Sequence, residues 1–146
     1  MTCMQTKRSI AKSQQTDLLC EILADGYDFF SGVPDSCLKE FINGIRAQDA
    51  REILHIPATW EAEAIGLAAG AYLAGRKPCV YLQNSGLGFA LNPLVTLCDP
   101  YNIPVLLVIG HRHSLPQHRV MGDRDEEILA VIEWTNYVLV DSGGSS

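Results

Sequence analysis

The amino-acid sequence predicts an α/β fold, a three-layer α/β/α domain with a mostly parallel sheet, and three observations lead to it. Short, nearly continuous apolar runs alternate with longer stretches of helical periodicity, the pattern of strands buried on both faces and joined through helices. The breaks between them carry Gly, Pro, Asp and Ser, the residues that turn a chain. At 146 residues and 47% hydrophobic content, the chain has the size and composition of one domain with a substantial core, not of a disordered segment.

Residues 1–13 are polar and irregular and read as a flexible lead-in; 14–140 form the domain, and 141–146, Asp-Ser-Gly-Gly-Ser-Ser, read as a flexible tail. A helix is expected over 14–25, with Leu18, Leu19, Ile22 and Leu23 on one face and Gly26 as its stop. Residues 27–31 read as a short buried strand. Gly32-Val33-Pro34-Asp35-Ser36 is a turn in which Asp35 or Ser36 can cap a helix over 36–47. A strand at 52–57 leads into a helix over 61–75 that carries repeated Ala and Gly. Gly costs about 1 kcal/mol against Ala inside a helix, so its repetition implies that a backbone, a ligand or a partner comes close there. A strand at 78–83, a helix at 87–98 that must accommodate Pro93, and the most hydrophobic strand at 103–109 follow. Residues 110–122 read as a polar loop, 123–134 as an amphipathic helix and 137–140 as the last strand.

The formal charge of −6 excludes a nucleic-acid footprint, which needs a basic face. The short cluster His111-Arg112-His113 suits a small anion instead. Five cysteines occur without a CxxC pair or a zinc spacing, and Cys20, Cys37, Cys79 and Cys98 read as small buried hydrophobes. No apolar signal segment or membrane-spanning run is present, so the expectation is a cytoplasmic protein with no membrane or metal site of its own.

In parallel sheets ligands sit at the carboxyl ends of the strands. The loops expected there are 32–36, 57–61, 83–88 and 110–122, and the candidate polar residues fall in them. Glu61 has two readings: an acid in the first helical turn, favoured by the helix dipole, or a carboxyl in an apolar wall that exchanges a proton with a heterocycle. Asn84-Ser85-Gly86-Leu87-Gly88 is either a cradle of backbone amides for an anion or a plain tight turn. Asp35 can be a helix cap and His118 a solvated loop residue. Together Glu61, Asp35 and His118 make a proton-handling set. No Gly-x-Ser-x-Gly elbow occurs, so the difficult chemistry would come from a cofactor.

Gly32-Val33-Pro34-Asp35-Ser36, Thr59-Trp60-Glu61 with Ile65-Gly66-Leu67-Ala68-Ala69-Gly70, and Gln83-Asn84-Ser85-Gly86-Leu87-Gly88 together resemble the thiamine-diphosphate-dependent decarboxylases. The likeness covers about residues 15–140 and is nearest to the sulfopyruvate and phosphonopyruvate decarboxylases. It implies the pyrimidine-binding domain of those enzymes, which for sulfopyruvate can be a separate alpha subunit. By that resemblance Glu61 matches the glutamate that hydrogen-bonds the aminopyrimidine ring and promotes its imino tautomer, and Asp35 a carboxylate that relays a proton near the substrate. His118, in Pro116-Gln117-His118, looks like the loop histidine that meets the substrate end. Val33, Pro34, Gln83 and Asn84 would line the cofactor, and Asn84, Ser85, Gly86, Arg112 and His118 the substrate.

The sequence departs from the family at Trp60-Glu61-Ala62 and at His111-Arg112-His113, and it lacks the Gly-Asp-Gly…Asn segment that binds magnesium and diphosphate. Gly122-Asp123-Arg124 does not replace that segment. The resemblance therefore implies thiamine diphosphate with magnesium held by a partner, a diphosphate-binding beta subunit, in a heterotetramer or larger heteromer. The expected reaction is decarboxylation of 3-sulfopyruvate or 3-phosphonopyruvate, anionic 2-oxo acids, to the aldehyde and carbon dioxide. A carboligase subunit, or a non-catalytic nucleotide-binding or regulatory α/β module, is the alternative.

Overall fold

In the computed structural model, which describes residues 4–143, the apolar runs become six strands, all parallel, in the order β1-β6-β5-β4-β2-β3. The strands are β1 (Arg8–Ala11), β2 (Phe29–Gly32), β3 (Leu54–Pro57), β4 (Pro78–Gln83), β5 (Leu106–His111) and β6 (Tyr137–Asp141). Successive side chains alternate between two apolar layers, as the strand period requires. Phe29, Val80, Leu82, Leu107 and Ile109 face one layer; Phe30, Cys79, Tyr81, Leu106 and Val108 face the other. The first layer is closed by helices α3 (Glu61–Leu73), α4 (Leu87–Pro93) and α6 (Asp125–Val131), the second by α1 (Gln15–Ala24) and α2 (Lys39–Arg46). The three-layer parallel architecture expected from the sequence is the one found.

Several elements differ from expectation, each for a local reason. Residues 8–11, expected in a loose lead-in, form β1 and pair with Val138–Asp141 of β6. This edge strand alternates half-buried and exposed residues, so it carries none of the apolar run that betrays a strand buried on both faces. The segment 110–122, read as a loop, contains α5 (Pro116–Gly122), opened by Pro116, whose fixed φ suits the first turn of a helix. The strand expected from 103 begins at Leu106, after Pro104. The helix expected over 87–98 yields at Pro93 into a π-helical turn, Leu94–Cys98, which relieves the carbonyl that Pro cannot serve. Cys37, Cys79 and Cys98 are buried free thiols, whereas Cys20 is exposed, on the face of α1 opposite Leu18, Leu19 and Ile22. Of the expected tail, 144–146 lie outside the described residues, as do residues 1–3 of the lead-in.

The register puts the strand ends in one row: Pro57 pairs with Gly32, Gly32 with Tyr81, Gln83 with Gly110, and His111 with Asp141. Gly32 is needed for this alignment, because a Cβ there would overlap the Tyr81 carbonyl and ring. The connections α2 and α4, which follow β2 and β4, lie on opposite faces of the sheet. The order of the sheet thus reverses between those neighbouring strands, and the crevice outside their carboxyl ends is where such sheets take ligands.

Candidate active site

The corner after β3 is held by hydrogen bonds on both sides of Thr59. Ala58 donates its N–H to the Gly32 carbonyl at 2.9 Å, and both the N–H and the hydroxyl of Thr59 donate to Glu63 Oε2 at 2.7 Å. Those donors hold the Glu63 carboxyl below its ordinary range. Trp60 is extended, and α3 begins at Glu61. Glu61 is only 6% exposed, and no hydrogen bond or ion pair engages its carboxyl among the described residues. That carboxyl lies against Gly86, in the turn after β4, where a Cβ would overlap its oxygen. Glycine is thus required at position 86 for room, since its backbone is in the ordinary right-handed region.

Asp35, in the loop after β2, is in the opposite condition. Its Oδ2 accepts the Cys37 N–H at 3.1 Å, capping a short 3-10 turn, Ser36–Leu38, that precedes α2. Its Oδ1 accepts from Arg112 Nη2 at 2.7 Å, with both side chains largely buried. Arg112 Nη2 also donates to the Ser36 hydroxyl at 2.6 Å. The buried Gln15 fixes the same turn from α1, donating to the Cys37 carbonyl at 2.9 Å and accepting the Phe41 N–H at 3.0 Å. Burial, and then the Asp35 charge, push the Cys37 thiol up, so it is an inert packing group here.

A one-turn 3-10 helix, Asn84–Gly86, joins the two corners. Asn84 is fully buried, and its amide donates to the Arg112 carbonyl at 2.6 Å and, at 3.5 Å, to that of His118. It therefore pins the loop after β5 and the start of α5, and two residues later Gly86 receives Glu61. Among the described residues its Oδ1 is buried without a partner, as is His118 Nδ1. Val33, Gln83 and Ser85 are half-buried at the same edge, Pro34 is exposed, and Arg119 stands exposed on α5.

The pair His111–Asp125 is not among the residues expected from the sequence. His111 Nδ1 lies 2.6 Å from Oδ2 of Asp125, a carboxylate that is 1% exposed. That hydrogen bond raises the His111 pKa against the opposing effect of burial. The pair ties the end of β5, next to Arg112, to the first residue of α6. The signal was present only as a histidine at a strand end and an acid at a helix start, 14 residues apart.

Residues 14–128 match the family described as thiamine pyrophosphate enzyme, N-terminal TPP binding domain. The chain is 42% identical over 121 residues to the sulfopyruvate decarboxylase subunit alpha of Methanococcus maripaludis, across 81% of this chain and 66% of that one. It is 36% identical over 126 residues to the phosphonopyruvate decarboxylase of Streptomyces viridochromogenes, across 82% of this chain and 31% of that one. The chain thus spans just under two thirds of the length of the first relative. In fold it is similar to the 2-oxoglutarate:ferredoxin oxidoreductase from Magnetococcus marinus, with a TM-score of 0.61 at 15% identity over 90% of this chain and 28% of that one.

Proposed function

The chain belongs to the thiamine pyrophosphate enzyme family, as its N-terminal TPP binding domain, and from that premise we propose that it is the alpha subunit of a decarboxylase of 3-sulfopyruvate or 3-phosphonopyruvate. The observation that carries this reading is the Glu61 carboxyl: buried, unengaged among the described residues, and set against Gly86 beside the crevice where the strand order reverses. A heterocycle nitrogen entering that crevice would satisfy the carboxyl, so the residues present fit an aminopyrimidine. Thiamine diphosphate supplies, when bound, the nucleophile and the electron sink that loss of carbon dioxide from a 2-oxo acid requires.

The chain's own residues bind, orient and handle protons. Glu61 would hold a ring nitrogen and exchange a proton with it. Val33, Pro34 and Gln83 stand at the edge where the ring would lie, and Asn84 acts through the loop it pins. Release of carbon dioxide leaves a carbon that must gain one proton to become the aldehyde. Asp35 and His118 are the groups assigned to that proton, and Arg112 orients Asp35 for it. Substrate would meet Ser85, Gly86, Arg112 and His118.

A diphosphate-binding beta subunit completes the site and holds magnesium. The open side of α3 is the surface for it: a Cβ on Gly66 or Gly70 would meet nothing within 4 Å, and these glycines line a groove of about 510 Å³ with Phe29, Leu54 and Ile56. Gly70→Leu fills that groove and is expected to weaken assembly, read by sedimentation, while the chain itself still folds. Among the described residues no helix is long and apolar enough to cross a membrane, and a cytoplasmic setting is part of the proposal.

The test is reconstitution. The chain mixed with its beta subunit, magnesium and thiamine diphosphate should turn 3-sulfopyruvate or 3-phosphonopyruvate into aldehyde and carbon dioxide. Full turnover by the chain alone would overturn the split site. An acyloin product in place of the aldehyde would move the assignment to carboligation.

A further inference from the structure

The strand order brings together three residues that are remote in sequence. Ala11, Asp141 and His111 are in register across β1, β6 and β5. The next residue on each strand, Lys12, Ser142 and Arg112, therefore stands in a row just beyond the carboxyl edge. Lys12, Ser36, Arg112, Ser114 and His118 line a recess of about 160 Å³ there, with Cys37 also in its wall. That is smaller than the roughly 300–1,000 Å³ of pockets for drug-sized ligands, so its occupant is compact.

The lining is rich in donors. Lys12 has no ion-pair partner among the described residues. Arg112 gives Nη2 to Asp35 and Ser36 and lies beside the Cys37 thiol, and no ion pair engages its other guanidinium nitrogens among the described residues. His118 is buried to 9% exposure, and its Nδ1 has no partner among the described residues. Two carboxylates stand near. Asp35 is satisfied by Arg112 and the Cys37 N–H, and Asp141 accepts the Gly143 N–H at 3.0 Å. Unmet cationic and neutral donors around a small cavity call for an acceptor-rich anion.

We propose that this recess seats a compact tetrahedral oxyanion, the sulfonate or phosphonate end of the substrate, with Lys12 as its principal counter-charge and Arg112, Ser36, Ser114 and His118 as donors around it. The source of the oxyanion rests on the decarboxylase reading; the recess itself does not. Lys12 thereby gives the edge strand β1 a role in substrate choice, since a 2-oxo acid with an apolar end would leave these donors unmet.

The experiment titrates the chain with methylphosphonate, methanesulfonate and inorganic phosphate while the ring signals of His118 are followed by NMR. Saturable shifts at His118, with affinity lowered roughly tenfold in Lys12→Ala and recovered in Lys12→Arg, are the expected result. Lys12 is exposed and unpaired, so the Ala variant keeps its fold, and unchanged shifts elsewhere in its spectrum check that. Absence of saturable shifts in the parent overturns the proposal, and so do shifts that Lys12→Ala leaves unaltered. Displacement of the phosphate by thiamine diphosphate also overturns it, because the recess would then belong to the cofactor's anion. No thiamine compound or 2-oxo acid enters the first titration. Survival of the His118 shifts alongside an assembled enzyme that decarboxylates neither substrate would uphold the recess and overturn only the reaction.

Discussion

Glu61 and Asp35 follow neighbouring strands, β3 and β2, at one edge of one sheet, yet their surroundings differ. Asp35 is engaged on both oxygens by groups of its own chain, Arg112 and the Cys37 N–H. Glu61 is as deeply placed and engaged by none among the described residues. An isolated buried carboxyl costs free energy unless a partner is supplied, so the Asp35 corner is finished by folding, whereas folding leaves the Glu61 corner open. The difference teaches where to look for the ligand: at the group the fold leaves unsatisfied.

The largest expected effect breaks that comparison at Glu61. Glu61→Gln keeps size and hydrogen bonding but cannot exchange the proton, so turnover of the assembled enzyme should fall by about 10²–10⁴-fold. The unfolding of the chain alone should barely change, because what is lost at the helix start is about 1 kcal/mol at most. Deuterium exchange at the thiazolium carbon gives a readout apart from turnover; exchange as fast as in the parent would leave Glu61 an ordinary first-turn acid.

Gly86→Ala attacks the same corner from the other side. The added Cβ would overlap the Glu61 oxygen, and a displacement of order 1 Å at a reacting group costs about 10²-fold in rate. Turnover should fall by about that factor with Glu61 chemically intact. Full activity in this variant would mean that the Gly86 contact does not position the carboxyl.

These two residues also mark how far the sequence could be read. The four loops at the carboxyl edge were legible because the apolar runs of β2, β4 and β5 are buried on both faces and end where polar residues begin. The start of α3 at Glu61 was legible from Pro57 and the Ala-rich stretch after it. Gly86 was singled out as part of an amide cradle, whereas its contact with Glu61 depends on how β3 and β4 flank β2, which no local pattern records. Asn84 was expected at the substrate, and its burial under the Arg112 and His118 carbonyls depends on α5, a short polar helix whose periodicity is too brief to register. Lys12 was passed over because β1 is an edge strand without an apolar run.

Asp35→Asn tests the finished corner and should cost stability where Glu61→Gln does not. It removes the charge from a largely buried bond to Arg112, and hydrogen bonds to charged groups contribute about 1.5–3 kcal/mol. The midpoint of thermal unfolding of the chain alone should drop by several degrees. Turnover should fall as well, while exchange of the thiazolium proton in the assembled enzyme stays close to the parent rate. Loss of that exchange would place Asp35 with Glu61 in activating the cofactor.

The smallest effect is a pH dependence set by two half-buried histidines. His111 is raised from 6.5 by its hydrogen bond to Asp125, with the charges of Asp125, Asp141 and Glu126 adding to that and burial opposing it; the His113 ring lies 5.1 Å away. A raised folded pKa means that the native state holds the proton more tightly than the unfolded chain. Its contribution is therefore fully present below about 6.5 and is lost as pH rises through the higher folded value. His55, bonded to the Tyr81 hydroxyl at 2.9 Å, is lowered from 6.5 by burial and then by Arg46. Its sign is the reverse, with stability lost as pH falls below about 6.5. The windows lie on opposite sides of 6.5, so between pH 6.5 and 8 the decline belongs to His111. Asp125→Asn keeps the shape but removes the charge, and His111→Gln removes the titration; both should flatten thermal stability over that interval while leaving the acid side unchanged. A decline that persists in both variants would assign it to another group and reduce the His111–Asp125 contact to an uncharged hydrogen bond.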